Sequence, residues 1–188
     1  MARPLPKMLR PYDEPALERA ALDYAARYAT TRAKLRAYLR RKLRERGWSG
    51  QDSPPVEALV ERFAERGYVD DRAFAAARTD ALLRRGYGGR RIGAALRAAG
   101  IDAETVGALD ERISAEAERA AMLYAQRKRI GPFAASRPDA GQRRRWFGVM
   151  VRAGHPAGLV SRLLDIPPGE VDIDYRSFPD DGDHPESE

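Results

Sequence analysis

A glycine that ends an arginine-rich segment recurs three times along the chain, at Gly47, Gly100 and Gly154, with spacings of 53 and 54 residues. Apolar residues stand eight and four positions before each glycine, which is the spacing of one helix face. Glycine directly after such a helix is typical of the positive-φ backbone that ends it. The pattern therefore predicts three related helical units. The apolar pairs are Leu39 and Leu43, Ile92 and Leu96, and Trp146 and Met150.

The correspondence continues after the glycines. A valine and a leucine stand six and nine positions after the second and third glycines. In the first copy the matching residues, Val60 and Phe63, are both displaced by seven positions. One constant displacement at two positions indicates a single loop insertion, which we assign to residues 49–55. The matching pairs in the later copies are Val106 with Leu109 and Val160 with Leu163.

Composition favours helices throughout. Ala, Leu, Arg and Glu are all good helix formers, and aromatic residues make up only 8% of the chain. We therefore predict an all-α protein of three tandem three-helix repeats that form an elongated, curved body, because stacked helical units tend to extend in this way. The predicted segments are an N-terminal tail 1–13, helix triplets 14–68, 69–113 and 114–166, and an acidic, disordered tail 167–188.

Capping residues place the nine helices within these triplets. The predicted helices are 14–29, 31–46 and 54–66, then 71–85, 89–99 and 103–112, and finally 115–129, 140–153 and 157–165. Asp139 with Gln142 three positions later resembles a capping box. The predicted N-caps are Asp13, Thr30 or Thr31, Ser53, Asp70, Asp102, Ser114 and Asp139.

Charge is divided unevenly along the chain. The whole sequence has 34 Lys and Arg against 28 Asp and Glu, for a net charge of +6. The segment 167–188 holds eight acids and one base, so the preceding 166 residues carry a net charge of +13. A body this basic attracts polyanions or an acidic protein surface. Solvated helix faces in an Arg/Ala-rich sequence are the alternative, and composition leaves both open.

Arginine runs supply the candidate binding residues. The second predicted helix has a ladder of arginines one turn apart, which predicts a nearly continuous cationic solvent face. Like charges at this spacing cost about a few tenths of a kcal/mol per pair, so their presence favours an anionic partner. The ladder consists of Arg32, Arg36, Arg40 and Arg44. The predicted partner- or DNA-binding residues are Arg36, Arg40, Arg41, Arg44, Arg84, Arg85, Arg90, Arg91, Arg127, Arg143, Arg144 and Arg145.

Signals of catalysis are weak. The chain has no cysteine and two histidines, His155 and His184, without the spacing of a nucleophile and its base. Asp70 and Asp71 stand at a helix start, where acids cap amides, and the tail aspartates lack the order of a calcium loop. The segment 86–89 follows a helix rather than a strand, so we interpret it as an inter-helix hinge rather than a phosphate loop. We predict no enzyme activity, no cofactor and no metal site.

The chain also lacks the sequence features of membrane insertion and secretion. No apolar run reaches the ~18 residues that a transmembrane helix needs. The first residues contain no apolar stretch of the kind found in a secretory signal. We expect a cytoplasmic, monomeric protein.

Two motifs in the middle triplet resemble a known family. The segment 67–75, Gly-Tyr-Val-Asp-Asp-Arg-Ala-Phe-Ala, and the segment 85–92, Arg-Gly-Tyr-Gly-Gly-Arg-Arg-Ile, are similar to signatures of the RecX regulators. The resemblance implies three three-helix repeats that bind the RecA recombinase filament on DNA. It also implies inhibition of ATP hydrolysis, strand exchange and co-protease activity, with single-stranded DNA as a secondary contact. The third triplet departs from the family pattern at Ala153-Gly154-His155.

Two other functions stay open from the residues alone. Arginines that contact phosphates without reading bases are typical of proteins that bind single- or double-stranded DNA directly. A nuclease that uses the aspartates is the second alternative. Steep salt dependence without recombinase would indicate the first, and magnesium-dependent cleavage of DNA would indicate the second.

Overall fold

The computed structural model describes residues 10–171, and over this range the protein is all-α, as predicted. The described residues form ten α-helices and one short 3-10 turn, Gly131–Phe133. The helices are α1 (Glu14–Arg27), α2 (Arg32–Arg46), α3 (Val56–Glu65), α4 (Asp71–Arg84), α5 (Gly89–Ala98), α6 (Ala103–Gly107), α7 (Asp110–Ala115), α8 (Ala117–Lys128), α9 (Ala140–Arg152) and α10 (Ala157–Asp165).

Most of the predicted helix starts are confirmed by their caps. The side chains of Asp13 and Thr31 accept hydrogen bonds from backbone N–H groups three positions ahead, at 2.8 and 3.1 Å. Asp70, Asp102 and Asp139 do the same at 2.9, 2.7 and 2.6 Å. Each cap satisfies one of the amides that a helix start leaves without an intrahelical acceptor.

Two predicted starts are wrong. Ser53 does not cap α3, which begins at Val56 after Pro55 and has no side-chain cap. The consecutive prolines explain this, because a residue that precedes proline is disfavoured in helical conformation. The predicted helix 103–112 is wrong as a single helix, because α6 ends at Gly107 and a separate helix, α7, runs from Asp110 to Ala115. Ser114 therefore lies inside α7, and α8 starts after Glu116.

The described chain divides into two compact units. The first contains residues 10–77 and Ala95–Gly107. Its core is formed by α1, α2 and α3, whose fully buried side chains include Leu17, Leu35 and Phe63. Tyr12, which falls in the predicted N-terminal tail, is buried in this core, and its N–H donates to the Gly47 carbonyl at 3.0 Å.

The second unit contains Arg78–Ala94 and the described residues from Ala108 onward. Its core is formed by α8, α9 and α10, with Ala121, Met150 and Val160 fully buried. Helices α4 and α5 each contribute residues to both units. The three-triplet boundaries are not the boundaries of these units and stay a prediction, as do the elongated body and the tandem repeat.

Glycine ends a helix at each of the three repeat positions. Gly47, Gly100 and Gly154 have φ values of +81°, +79° and +100°, which L-residues with side chains rarely adopt. A segment from earlier in the chain lies close to each glycine. For Gly47 this segment is the one at Tyr12, whose carbonyl also accepts from Ser49 N–H at 2.9 Å.

In the first unit, the end of α5 packs against the start of α2. The Thr31 hydroxyl donates to the carbonyl of Ala99 at 2.7 Å and is fully buried. A side chain at Gly100 would overlap the Cβ of Ala33. The backbone N–H of Arg32 donates to the Asp71 carboxylate at 2.9 Å, so Asp71 caps α2 as well as standing at the start of α4.

In the second unit, the end of α9 packs against the start of α5. The N–H groups of Gly88 and Arg90 donate to the carbonyls of Ala153 and Gly154, at 3.0 and 3.2 Å. The backbones approach so closely that a side chain at Gly88 would overlap Gly154. Two amides at the start of one helix are thus satisfied by two carbonyls that follow the end of another.

Candidate functional site

The arginine ladder of α2 faces acids on α3. Arg36 Nε and Arg40 Nη2 lie 2.6 and 2.9 Å from the two carboxylate oxygens of Glu57. The hydrogen bond from Arg36, opposed by desolvation, holds the pKa of Glu57 below its ordinary value. Arg32 lies 3.8 Å from Glu61. The predicted continuous cationic face is therefore wrong, because α3 partly neutralises it.

The remaining cations of α2 differ in how firmly they are held. Arg41 and Lys42 lie 3.7 and 3.0 Å from Glu45, and the hydrogen bond to Glu45 raises the pKa of Lys42. Arg44 is exposed and has no ion pair within residues 10–171. Of the candidate residues on α2, Arg44 therefore has the guanidinium most available to a ligand.

A cluster of tyrosines, which the sequence did not single out, lies between α1 and α2. The Tyr24 and Tyr38 rings stack with centroids 4.2 Å apart and an interplanar angle of 12°. Tyr28, one turn after Tyr24, packs against it at 5.3 Å and 48°. These three residues define the tyrosine groove, an open depression of about 500 Å³. The signal for it was the spacing of Tyr24, near the end of α1, and Tyr28, the residue directly after the helix, because residues four positions apart lie close together at a helix end.

Basic side chains border the tyrosine groove. Arg41 and Lys42 lie over the Tyr38 ring, 5.7 and 5.8 Å from its centroid. Burial raises the pKa of the Tyr38 hydroxyl, and the charge of Lys42 partly offsets this effect. Arg27 and Lys34 also line the groove. One acid, Asp23, lies among them, so the lining has four cations and one anion.

Four of the predicted arginines flank the loop between α4 and α5. Arg85 and Arg91 lie 5.7 and 5.8 Å from the centroid of the Tyr87 ring, which places both cations near one aromatic side chain. Arg84 is exposed. Arg90 is anchored instead, because its Nη2 donates to the carbonyl of Val151 at 2.8 Å.

The loop itself serves the fold. Gly86 has a φ of +77°, and its carbonyl lies 3.0 Å from the His155 Nε2. Two of the amides that a phosphate would need, those of Gly88 and Arg90 at the start of α5, already donate to the carbonyls of Ala153 and Gly154. The interpretation of residues 86–89 as a hinge between helices, rather than a phosphate loop, agrees with this geometry.

His155 is fully buried beside this loop. Because a carbonyl oxygen only accepts, Nε2 carries the hydrogen in the contact with Gly86, and the buried Nδ1 has no hydrogen-bond partner within the described range. Burial lowers the pKa of the imidazole, and the hydrogen bond to Gly86 opposes that shift. These features are those of a neutral histidine with a structural role.

The candidate arginines of the third predicted triplet also divide into side chains anchored by hydrogen bonds and side chains exposed to solvent. Arg143 donates to the carbonyl of Leu164 and to the Asp165 carboxylate, both at 2.6 Å, and so ties α9 to α10. Arg127, Arg144 and Arg145 are exposed. The structure thus distinguishes arginines that anchor the fold from arginines that face solvent, while their part in binding stays a prediction.

Within residues 10–171 no three acidic or histidine side chains lie close enough to hold a metal ion. None of the helices in that range is both long and apolar enough to cross a membrane. The tail aspartates considered above, together with His184, lie outside the described residues.

Comparison of the sequence with known proteins matches it to a named family. A family profile described as "RecX, second three-helix domain" matches residues 70–108. Regulatory protein RecX of Myxococcus xanthus (strain DK1622) is 33% identical over 172 residues, covering 87% of this chain and 91% of the relative. Regulatory protein RecX of Thermobifida fusca (strain YX) is 35% identical over 130 residues, covering 68% of this chain and 69% of the relative. The relative of the same name from Mycobacterium sp. (strain JLS) is 35% identical over 162 residues, covering 83% and 86%.

Proposed function

The chain belongs to the RecX family of regulatory proteins, and on this premise we propose that it binds a RecA recombinase filament on DNA and inhibits its activities. The inhibited activities are ATP hydrolysis, strand exchange and co-protease function, so the chain modulates recombination and DNA repair. The observation that carries the proposal is the extent of the likeness, which covers most of this chain and most of relatives named as regulatory proteins. The chain acts by binding, and ATP and magnesium belong to the recombinase.

The charge distribution supports contact with an anionic assembly. The segment before the acidic tail carries a net charge of +13, and several of its arginines project into solvent. Such a surface attracts a nucleoprotein filament and speeds the encounter with it. Of the predicted binding arginines, the contact residues we propose are the exposed ones for which residues 10–171 supply no ion pair, hydrogen bond or ring contact: Arg44, Arg84, Arg127, Arg144 and Arg145.

The test is the steady-state ATPase of recombinase filaments on single-stranded DNA, with this chain added in increasing amounts. We expect turnover to fall, with a midpoint set by the ratio of this chain to recombinase rather than to free DNA. Unchanged turnover and no binding to filaments at several-fold excess would refute the proposal.

A matched pair of variants tests the proposed contact residues. Arg144→Gln with Arg145→Gln removes two exposed charges from α9 without touching an anchored group, and we expect weaker inhibition. Arg97→Gln is the control, because Arg97 is exposed on α5 and lies outside the proposed set. Equal inhibition by the double variant and the control would remove this face of α9 from the contact.

A further inference from the structure

We propose that the tyrosine groove between α1 and α2 is a binding site for single-stranded nucleic acid, in which a base stacks on Tyr28 and the neighbouring phosphates lie against the basic border. The new element is the place and chemistry of the contact: the sequence assigned DNA binding to arginines alone, whereas this groove adds an aromatic surface on which a base can stack. The inference does not depend on the proposed function.

The first support is the exposed aromatic surface. Tyr28 is 58% exposed, so its ring presents a large aromatic surface to solvent. Its ring is set against Tyr24, which in turn stacks on Tyr38, so Tyr28 stands on a packed aromatic support. An aromatic side chain held in this way stacks a base at little further entropic cost, and such stacking stabilises binding by about 1–3 kcal/mol per base.

The second support is the charge around the rings. Four cations and one acid line the groove, and Glu45 outside it pairs with two of the cations, Arg41 and Lys42. Counting Glu45, the charge at the groove is still positive. Lys34 has its Nζ 4.4 Å from the Phe74 ring centroid and forms no ion pair within residues 10–171. A positive border beside stacked aromatic rings is the combination that tracks the backbone and bases of a single strand.

The third support is the size and openness of the site. The groove holds about 500 Å³ and opens to solvent, which suits a base with its sugar and leaves a path for the strand on both sides. A duplex does not offer an unstacked base, so the site favours single strands over duplex DNA.

The test is fluorescence anisotropy of a labelled oligo(dT) titrated with the full chain, without recombinase. We expect Tyr28→Ala to weaken binding about tenfold, the result of losing one stacked base, and Tyr28→Phe to bind as the unaltered chain does. Tyr68→Ala is the matched control, since Tyr68 is 51% exposed and lies outside the groove. We expect it to leave the affinity unchanged.

Two further measurements separate stacking from charge. An abasic oligonucleotide keeps the phosphates but lacks bases, so it should bind the unaltered chain as weakly as oligo(dT) binds Tyr28→Ala. Arg27→Gln should lower the slope of log K against log salt by about 0.7, the value for one phosphate contact on a single strand. Tyr28→Ala should leave that slope unchanged.

Three outcomes would overturn the proposal. The first is equal affinity of Tyr28→Ala and Tyr68→Ala for oligo(dT), and the second is binding of the abasic strand as tight as that of oligo(dT). The third is a glutamate-rich peptide that binds at Tyr28 but displaces oligo(dT) from neither the parent chain nor the variant. The last outcome would assign the groove to an acidic protein segment. Because the assay contains no recombinase, its failure is distinct from a failure to inhibit the filament ATPase.

Discussion

Gly88 offers a sharp test of how the end of α9 joins the start of α5. Its φ does not lie in the left-handed region, so alanine can adopt the backbone conformation. The obstacle is space, because a Cβ would overlap Gly154 and lie 2.5 Å from the backbone nitrogen of His155. Both neighbours are backbone, which cannot rotate away as a flexible side chain does. Gly88→Ala therefore forces the two helix ends apart.

The cost follows from two parts of the joint. Overpacking in a close-packed region costs about 1–3 kcal/mol. Separating the helix ends weakens two hydrogen bonds, donated by Gly88 and Arg90, each contributing about 1 kcal/mol. Alanine also restricts the unfolded chain, and this stabilises the folded state by about 0.4–1 kcal/mol, which offsets part of the cost. We expect the free energy of unfolding to fall by about 3 kcal/mol, and the melting temperature of a chain this size by about 10 °C.

Urea unfolding followed by far-ultraviolet circular dichroism measures this change, and two glycine variants calibrate it. Gly107→Ala meets no atom within 4 Å and should leave stability unchanged or slightly raised. Gly67→Ala also has free space but a φ of +73°, so it reports backbone strain alone, about 1 kcal/mol. If Gly88→Ala is no less stable than Gly67→Ala, the reasoning about the joint is wrong.

Three further predictions concern single side chains. Burial lowers the pKa of His155, so near pH 6 the unfolded chain binds more protons than the folded chain. The contribution of the neutral imidazole to the free energy of unfolding is therefore fully present above about pH 6.5 and is lost as the pH falls below that value. Thermal melting across this range should show the fall, and His155→Gln should flatten it. Asp71→Ala removes the acceptor for the Arg32 N–H and should cost about 1 kcal/mol in urea unfolding, whereas Asp71→Asn keeps an acceptor and should cost less. Glu57→Gln releases two arginines from exposed ion pairs, so the free energy of unfolding should change by less than about 1 kcal/mol. If that face of α2 contacts the filament, the variant should inhibit the filament at a lower protein concentration than the parent chain. A need for a higher concentration would count against that face.

The local elements of the fold could be predicted from the sequence. Asp13, Thr31 and Asp139 act on amides three positions away, so their role depends on neighbours along the chain. The formation of helices, and their ending at glycine, likewise depend on residues that are close in the sequence. Most of these features were therefore predicted within one or two residues. The exceptions are Ser53, where two prolines delay the start of α3, and the predicted helix 103–112, which is two short helices, so that Ser114 is not a cap.

The side-chain environments could not be predicted in the same way, because they depend on how helices pack. Glu57 reaches the arginines of α2 only after the loop 49–55 returns the chain to them. Tyr68 is half exposed, and Asp71 caps a helix 39 positions before it. The tyrosine groove joins residues from two helices, and sequence reasoning that weighed only arginines missed it.

Because both ends of α2 are fastened, the structure also determines where the chain can change length. Thr31 at its start contacts Ala99, and Gly47 at its end pairs with Tyr12. One residue added inside α2 would turn one end by about 100° and shift it by about 1.5 Å relative to the other, so one of these attachments would be lost. Ser49 still belongs to the attachment at Tyr12, but the rest of the loop, residues 50–55, lies outside both attachments. Length variation among relatives should therefore gather in that loop, which is also where a label or a cleavage sequence can be introduced with least disturbance to the first unit.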